Sequence, residues 1–334
     1  MAEAAGSVAP PVASGARRQW IPSARVGTAG ALVALILFNV IFTNDFVSSR
    51  AINVNLTQVA PTLIVAIGMT LVIATGGIDL SVGSLMAISG SVAALILLSG
   101  SSLLESNAVA VPLAFVAPVL VAGAFGLFNG GLITRFGLQP IIATLILFIA
   151  GRGIAQVLTS GQLKAFKEPT FQYIGLGRPL GIPFQVILAA VIVLAAWFTL
   201  RRTTFGRYIL AVGGNERAAA LAGVRVGRVK FAVYGISGLC AGIAGLIAIA
   251  INSSSDANRV GLNLELEAIA AVAVGGTALT GGQASVIGTV MGALIIQLVR
   301  FTLLSHGVAA EVALIVQAAI IIAAVALQRR RSGS

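Results

Sequence analysis

Asp79 is the residue most at odds with its surroundings. It stands in Thr75–Ser84, TGGIDLSVGS, between two long apolar runs. A carboxylate at the centre of a bilayer costs about 2.5–3.5 kcal/mol on insertion scales, so it needs a partner or a purpose. As a helix cap, Asp79 or Ser81 would start the next helix near the membrane interface. As a functional group, Asp79 would line a polar path or steady a glycine hinge. The G-G-x-D-L-S order reads as a turn followed by a helix start, which favours the cap. Amides are the other polar groups set among apolar residues: Asn53, Asn55 and Gln58 in one run, Asn129 at the end of another, Gln139 at the start of a third. Amides both donate and accept, as the hydroxyls of a neutral sugar require. They also bond neighbouring helices, which is the commoner role for any single one.

Other chemistry is missing. The only lysines are Lys164, Lys167 and Lys230, and no G-x-x-x-x-G-K-[ST] loop occurs, so the chain has no P-loop of its own for ATP. His306 is the one histidine and has no Ser/Asp set around it. Cys240 is the one cysteine and lies in an apolar run, which rules out an intrachain disulfide and a thiolate metal cluster. No cofactor or metal is expected, and no enzymatic activity. Acidic groups that could relay protons or sodium number few: Asp79, Glu265, Glu267 and Glu311, all near proposed span ends.

The elements that position these residues are transmembrane helices. Of 334 residues 58% are hydrophobic and 9% charged, against about 25% charged in soluble domains. Strand-like alternation in segments of about ten residues is absent, which excludes a transmembrane barrel. The fold class is all-α: a polytopic transmembrane bundle of about ten spans, with glycine-broken helices and one short cytoplasmic helix. The predicted spans are 27–43, 54–75, 81–99, 109–130, 138–157, 183–200, 230–251, 265–280, 284–304 and 309–327, the third and eighth bordered by glycines. Residues 1–26 read as a disordered cytoplasmic segment, 27–327 as the membrane domain and 328–334 as a cytoplasmic tail. Fourteen basic residues then fall on the cytoplasmic side and five, Arg50, Lys164, Lys167, Arg178 and Arg259, outside. That bias fixes the orientation, with both termini cytoplasmic. It also accounts for the net charge of +11 without nucleic acid. The outer segments 158–182 and 252–264 are polar enough to be linkers or to receive an external delivery protein.

Two glycine-rich interruptions echo each other. Offset by 199 positions, Gly76, Gly77, Leu80 and Gly83 align with Gly275, Gly276, Leu279 and Gly282, and Ala94-Leu95-Ile96 with Ala293-Leu294-Ile295. Matched breaks in two halves point to the moving or binding region of a transporter, so Gly76, Gly77, Gly83, Gly275, Gly276, Gly281 and Gly282 are candidate hinges. On the span count the two copies run the same way. Asn53, Asn55, Gln58, Asp79 and Asn129 are the candidate pathway residues.

Gly213–Gly223, GGNERAAALAG, is the short helix outside the membrane. Asn215 is a good N-cap, Glu216 suits the first turn, Ala218 to Ala222 favour helix, and Gly223 can end it in a left-handed turn. Eight residues would make a rod of about 12 Å, too short to span. Composition alone leaves it either a plain connector or a docking piece.

Three stretches carry a resemblance. Gly76–Gly90, GGIDLSVGSLMAISG, Val212–Val224, VGGNERAAALAGV, and Glu265–Ile295 together resemble the sugar-importing ABC transporter permeases of the ribose, xylose and galactofuranose family. The C-terminal block, with TALTGG and QLVRFTLLSHGV, is most similar to the galactofuranose type. The resemblance implies the permease subunit of a monosaccharide importer in the bacterial inner membrane. It implies a second, identical or sister, permease chain and a periplasmic or lipid-tethered sugar-binding protein. A separate ABC ATPase would bind the ATP and dock at Gly213, Gly214, Asn215, Glu216, Arg217, Ala220, Leu221 and Gly223. The alternatives are a branched-chain amino acid-type ABC permease and an ion-coupled secondary sugar carrier.

Overall fold

The computed structural model describes residues 20–99, 107–309, 311–316, 318–320 and 322. The helices in chain order are α1 (Trp20–Phe42), α2 (Ser49–Ala74), α3 (Val82–Leu98), α4 (Asn107–Arg135), α5 (Pro140–Thr159), α6 (Pro169–Leu176), α7 (Phe184–Arg202), α8 (Thr204–Gly214), α9 (Glu216–Leu221), α10 (Val226–Asn252), α11 (Leu264–Val274) and α12 (Val286–Ser305). A further apolar helix occupies Glu311–Ile320. Among the described residues six helices, α2, α4, α5, α7, α10 and α12, are long and apolar enough to cross a membrane. Of the expected disordered segment 1–26, residues 1–19 lie outside the described residues, and the reading is corrected for 20–26, which form the start of α1; the expected tail 328–334 also lies outside them.

α2 and α10 form the centre. Most of each hydrophobic stretch is buried by neighbours, 89% and 72%, against 17% for α7 on the periphery. Apolar residues gain nothing by leaving lipid for one another, so close backbone approach must hold these helices together. The α4–α10 contact shows it: Gly126 lies against the Tyr234 carbonyl and Gly238, and Gly242 against Val119. Hydroxyls add bonds where backbones meet, as Ser89 Oγ does to the Gly242 carbonyl at 2.9 Å.

The eighth predicted span is corrected. α11 ends at Val274, and 275–285 is a loop. Gly275 and Gly276 close the helix, and Thr277 Oγ1 accepts the Ser285 N–H across the loop at 3.1 Å. At eleven residues, α11 is about 16 Å long, half a membrane thickness.

The segments 158–182 and 252–264 are joined. Lys164–Ala165 (β1) pairs antiparallel with Ser254–Ser255 (β2), and Gln172 Nε2 donates to Ser253 Oγ at 2.7 Å. From β2 the chain turns back into the bundle, where Gly261 lies against the backbone of Gly83. Arg152 Nη1 holds this return by donating to the Ala257 carbonyl at 2.9 Å and to that of Val260. Arg50, Lys164, Lys167, Arg178 and Arg259 belong to this ladder end of the bundle. Arg135, Arg201, Arg202, Arg207, Arg217, Arg225, Arg228 and Lys230 gather at the opposite end, with α9.

Candidate functional site: a coupling segment against two broken helices

α9 is built as its residues dictate. Asn215 Oδ1 accepts the Ala218 N–H at 2.9 Å, and Glu216 lies in the first turn. At the other end Val224 N–H reaches the Ala219 carbonyl and Gly223 N–H the Ala220 carbonyl, each at 3.0 Å. That is a Schellman ending around Gly223, whose φ is +84°. The expected eight-residue rod is corrected to six, Glu216–Leu221. Gly213 and Gly214 do not precede it as free chain; they end α8, which Thr203 caps through the Gly206 N–H. Leu221 is 91% exposed, an apolar side chain offered outward. Glu216 pairs with Lys230 at 2.7 Å, tying α9 to α10.

The glycines of α8 explain its position. A Cβ on Gly213 would run into the Ala74 carbonyl and the Gly282 N–H. These two groups bond each other at 3.0 Å, joining the end of α2 to the loop after α11. Gly213 therefore sits on the place where both glycine breaks meet.

The breaks repeat in structure, in a register one residue from that of the sequence echo. Gly76 N–H bonds the Ile73 carbonyl and Gly77 N–H that of Val72; Gly276 N–H bonds Ala273 and Thr277 N–H bonds Val272. The equivalent glycines are Gly76 and Gly276, both at φ +81°, two hundred positions apart. Only Gly has free access to this region of φ. Among the other candidate hinges Gly281 and Gly282 also have positive φ, +89° and +76°. Gly77, Gly83 and Gly275 do not; they are contact glycines, pressed by Tyr234, by Gly261 and Glu265, and by Gly288 respectively. The copies do run the same way: Thr62 of α2 meets Glu267 of α11 at 3.4 Å, and farther on Ala74 meets Gly282.

Asp79 is not at a surface. It is fully buried. Its Oδ1 accepts the Ser81 N–H at 3.0 Å and the Ser81 hydroxyl at 2.6 Å; its Oδ2 accepts the Ser237 hydroxyl of α10 at 2.8 Å. Ser81 Oγ in turn accepts Asn129 Nδ2 of α4 at 2.8 Å. The carboxylate thus makes a turn before α3, as a cap would, and also ties α3 to α10 and, through Ser81, to α4. α4 and α10 enclose the turn, so the carboxylate is buried within the bundle. Asn129 joins Asp79 here, its Oδ1 without a hydrogen-bond partner. Asn53, Asn55 and Gln58 lie elsewhere, at the ladder end of α2, where Asn55 Oδ1 accepts Gln297 Nε2 of α12 at 3.3 Å. The pathway candidates therefore occupy two places. Sequence reasoning missed Ser237 and Gln297, which carry no local signal and become partners only when the helices pack.

Comparison with known proteins follows this geometry. Residues 52–325 match the family described as "Branched-chain amino acid transport system / permease component". The chain belongs to that family. It is a helical, multi-pass membrane permease. It is similar to the galactofuranose transporter permease protein of Escherichia coli (strain K12), 42% identical over 83% of this chain and 79% of the relative. It is similar to the ribose import permease protein of the same organism, 40% identical over 90% of this chain and 92% of the relative. It is also similar to the fructose import permease protein of Bifidobacterium longum (strain NCC 2705), 40% identical over 84% and 81%. No solved structure matches the chain. The family takes its description from amino acid transport, whereas these relatives are named for sugars.

Proposed function

We propose that the chain is the membrane-spanning subunit of an ABC importer that moves a monosaccharide across the bacterial inner membrane. A separate ATPase drives it by pushing on α8 and α9. The observation that carries this reading is the seat of Gly213 on the Ala74–Gly282 bond. A displacement of α9 reaches both broken helices with no intervening side chain. Gly213, Gly214, Asn215, Glu216, Arg217, Ala220, Leu221 and Gly223 form the coupling element, with Leu221 as the exposed apolar contact. The sugar names of the relatives favour a monosaccharide over a branched-chain amino acid. The six long helices, with α1, α3, the paired return and α11, and the helix from Glu311, make up about ten passes. An even count keeps both termini and the basic α9 end cytoplasmic. A second permease chain completes the path, and a sugar-binding protein delivers to the ladder end. ATP binding moves the equilibrium only as far as the ATPase prefers one permease state over the other.

The test is uptake by cells carrying the whole transporter. Glu216→Lys with Leu221→Asp should abolish sugar uptake while the chain stays in the membrane at its normal level. Uptake equal to wild type would count against docking at α9. Gradient-driven sugar uptake by proteoliposomes holding this chain alone would defeat the ABC reading.

A further inference from the structure

Glu267 and Arg300 form an ion pair at 3.4 Å between α11 and α12. Its depth is fixed by Thr62, whose hydroxyl donates to the second oxygen of Glu267 at 3.4 Å. Thr62 is the fourteenth of the twenty-six residues of α2, so the carboxylate lies about 20 Å from either end of that helix, and Arg300 reaches inward to it from a position about 8 Å before the end of α12. Ionisable groups at such depth face the bundle interior or a water-filled cavity and mark a function. This pair is not wholly interior: Arg300 is 48% exposed and Glu267 14%. Beside it is a cleft with about 150 Å³ of space, lined by Asn263 just before α11, Leu266 and Glu267 of α11, Ile296 of α12 and Leu314 beyond it. Space of this order holds a six-membered ring, and small-molecule sites share this mixture of apolar wall and few polar groups. α11 begins at this cleft and is a half-length helix, as in transporters that bind substrate at broken helices.

We propose that this cleft is a mid-membrane station for a neutral polyhydroxyl solute, with Glu267 accepting from its hydroxyls and Arg300 donating to them. The charges cancel, so the site does not select an ion. Both bonds to Glu267 are longer than the usual 2.7–3.2 Å, so ligand hydroxyls can replace them with shorter ones. Asn263 supplies a group that both donates and accepts. The assignment rests on the importer reading for its choice of solute class, and on the pair and the cleft for its place.

The test labels the full chain with a permanently cationic methanethiosulfonate, which reacts only where water reaches a thiol. The parent chain is its own blank, because Cys240 is buried. Leu266→Cys should react in intact cells or in inverted vesicles. D-galactose, D-ribose or D-fructose should slow the reaction roughly threefold at a concentration twice its dissociation constant, and L-leucine should not. Glu267→Gln in the same background should keep the labelling and lose the protection. Absence of labelling from both sides would overturn the station, since lipid or a second copy would then seal the face. Labelling that none of the three sugars slows, or that leucine alone slows, would overturn it too. Because the readout is on the chain itself, protection without sugar uptake by the whole transporter counts against the importer reading alone. Uptake without protection counts against the station alone.

Discussion

The two glycine breaks begin alike and end differently. α2 and α11 finish in the same pair of backbone bonds around a glycine at the same φ. After α2 the chain restarts at Val82, and the turn between is pinned by Asp79 to Ser81 and Ser237. After α11 it restarts at Val286, four residues later in the repeat. That longer loop carries Gly281 and Gly282 to α8. One break is anchored in α4 and α10 through Asp79 and Ser81; the other is closed within its own loop by Thr277 and Ser285, and both meet α8 at Gly213. In the proposed importer the first break would be the fixed part and the second the driven part.

The largest effect should come from the point where they meet. Gly213→Val must displace the Ala74 carbonyl or the Gly282 N–H, and should cost about 3 kcal/mol or more by thermal unfolding of the purified chain. Gly214→Ala, with its nearest neighbour Gly282 at 4.0 Å, should stay within about 0.5 kcal/mol. Equal results for the two would remove the special place given to Gly213. Next comes the anchored break. Asp79→Leu leaves the Ser81 and Ser237 hydroxyls without their acceptor and should cost about 3 kcal/mol; a stable, merely inactive variant would make Asp79 a pathway residue instead. Gly281→Ala forces a side chain to φ +89°, at about 1–2 kcal/mol from the backbone alone, presses its Cβ on the backbone of Gly76 and Gly213, and should depress sugar uptake more than ATP hydrolysis in the whole transporter. The smallest change should follow Thr70→Val, which removes the 2.8 Å hydroxyl contact with Thr289 that braces α2 against α12 beside both breaks; the expected loss is about 0.6 kcal/mol. A cost several times greater would mean that the brace holds the junction together.

Much of this architecture can be read from one chain, because membrane helices advertise themselves by long apolar runs. The caps of α9 were equally legible, since Asn215 and Gly223 act on backbone a few residues away. What escaped depends on distance along the chain. α11 seemed longer because Ala278 and Leu279 extend its apolar pattern past the glycines that stop it. β1 and β2 are two residues each, too short for alternation to show. Gly213 reads as a helix breaker until Ala74 and Gly282 are placed beside it. Glu267 and Arg300 each look like a charge near a span end; only the packing of α11 on α12 makes them a pair, and only Thr62 reveals their depth.

The two rungs between β1 and β2 have a mechanical consequence. They yoke the segment after α5 to the segment after α10, so neither can swing away from the bundle alone. A cut in the chain between Gln162 and Lys164 would leave the far stump still moored to Ser254 and Ser255. Under the proposed importer, a partner seated on this crown of the molecule would touch loops from both halves of the chain at once.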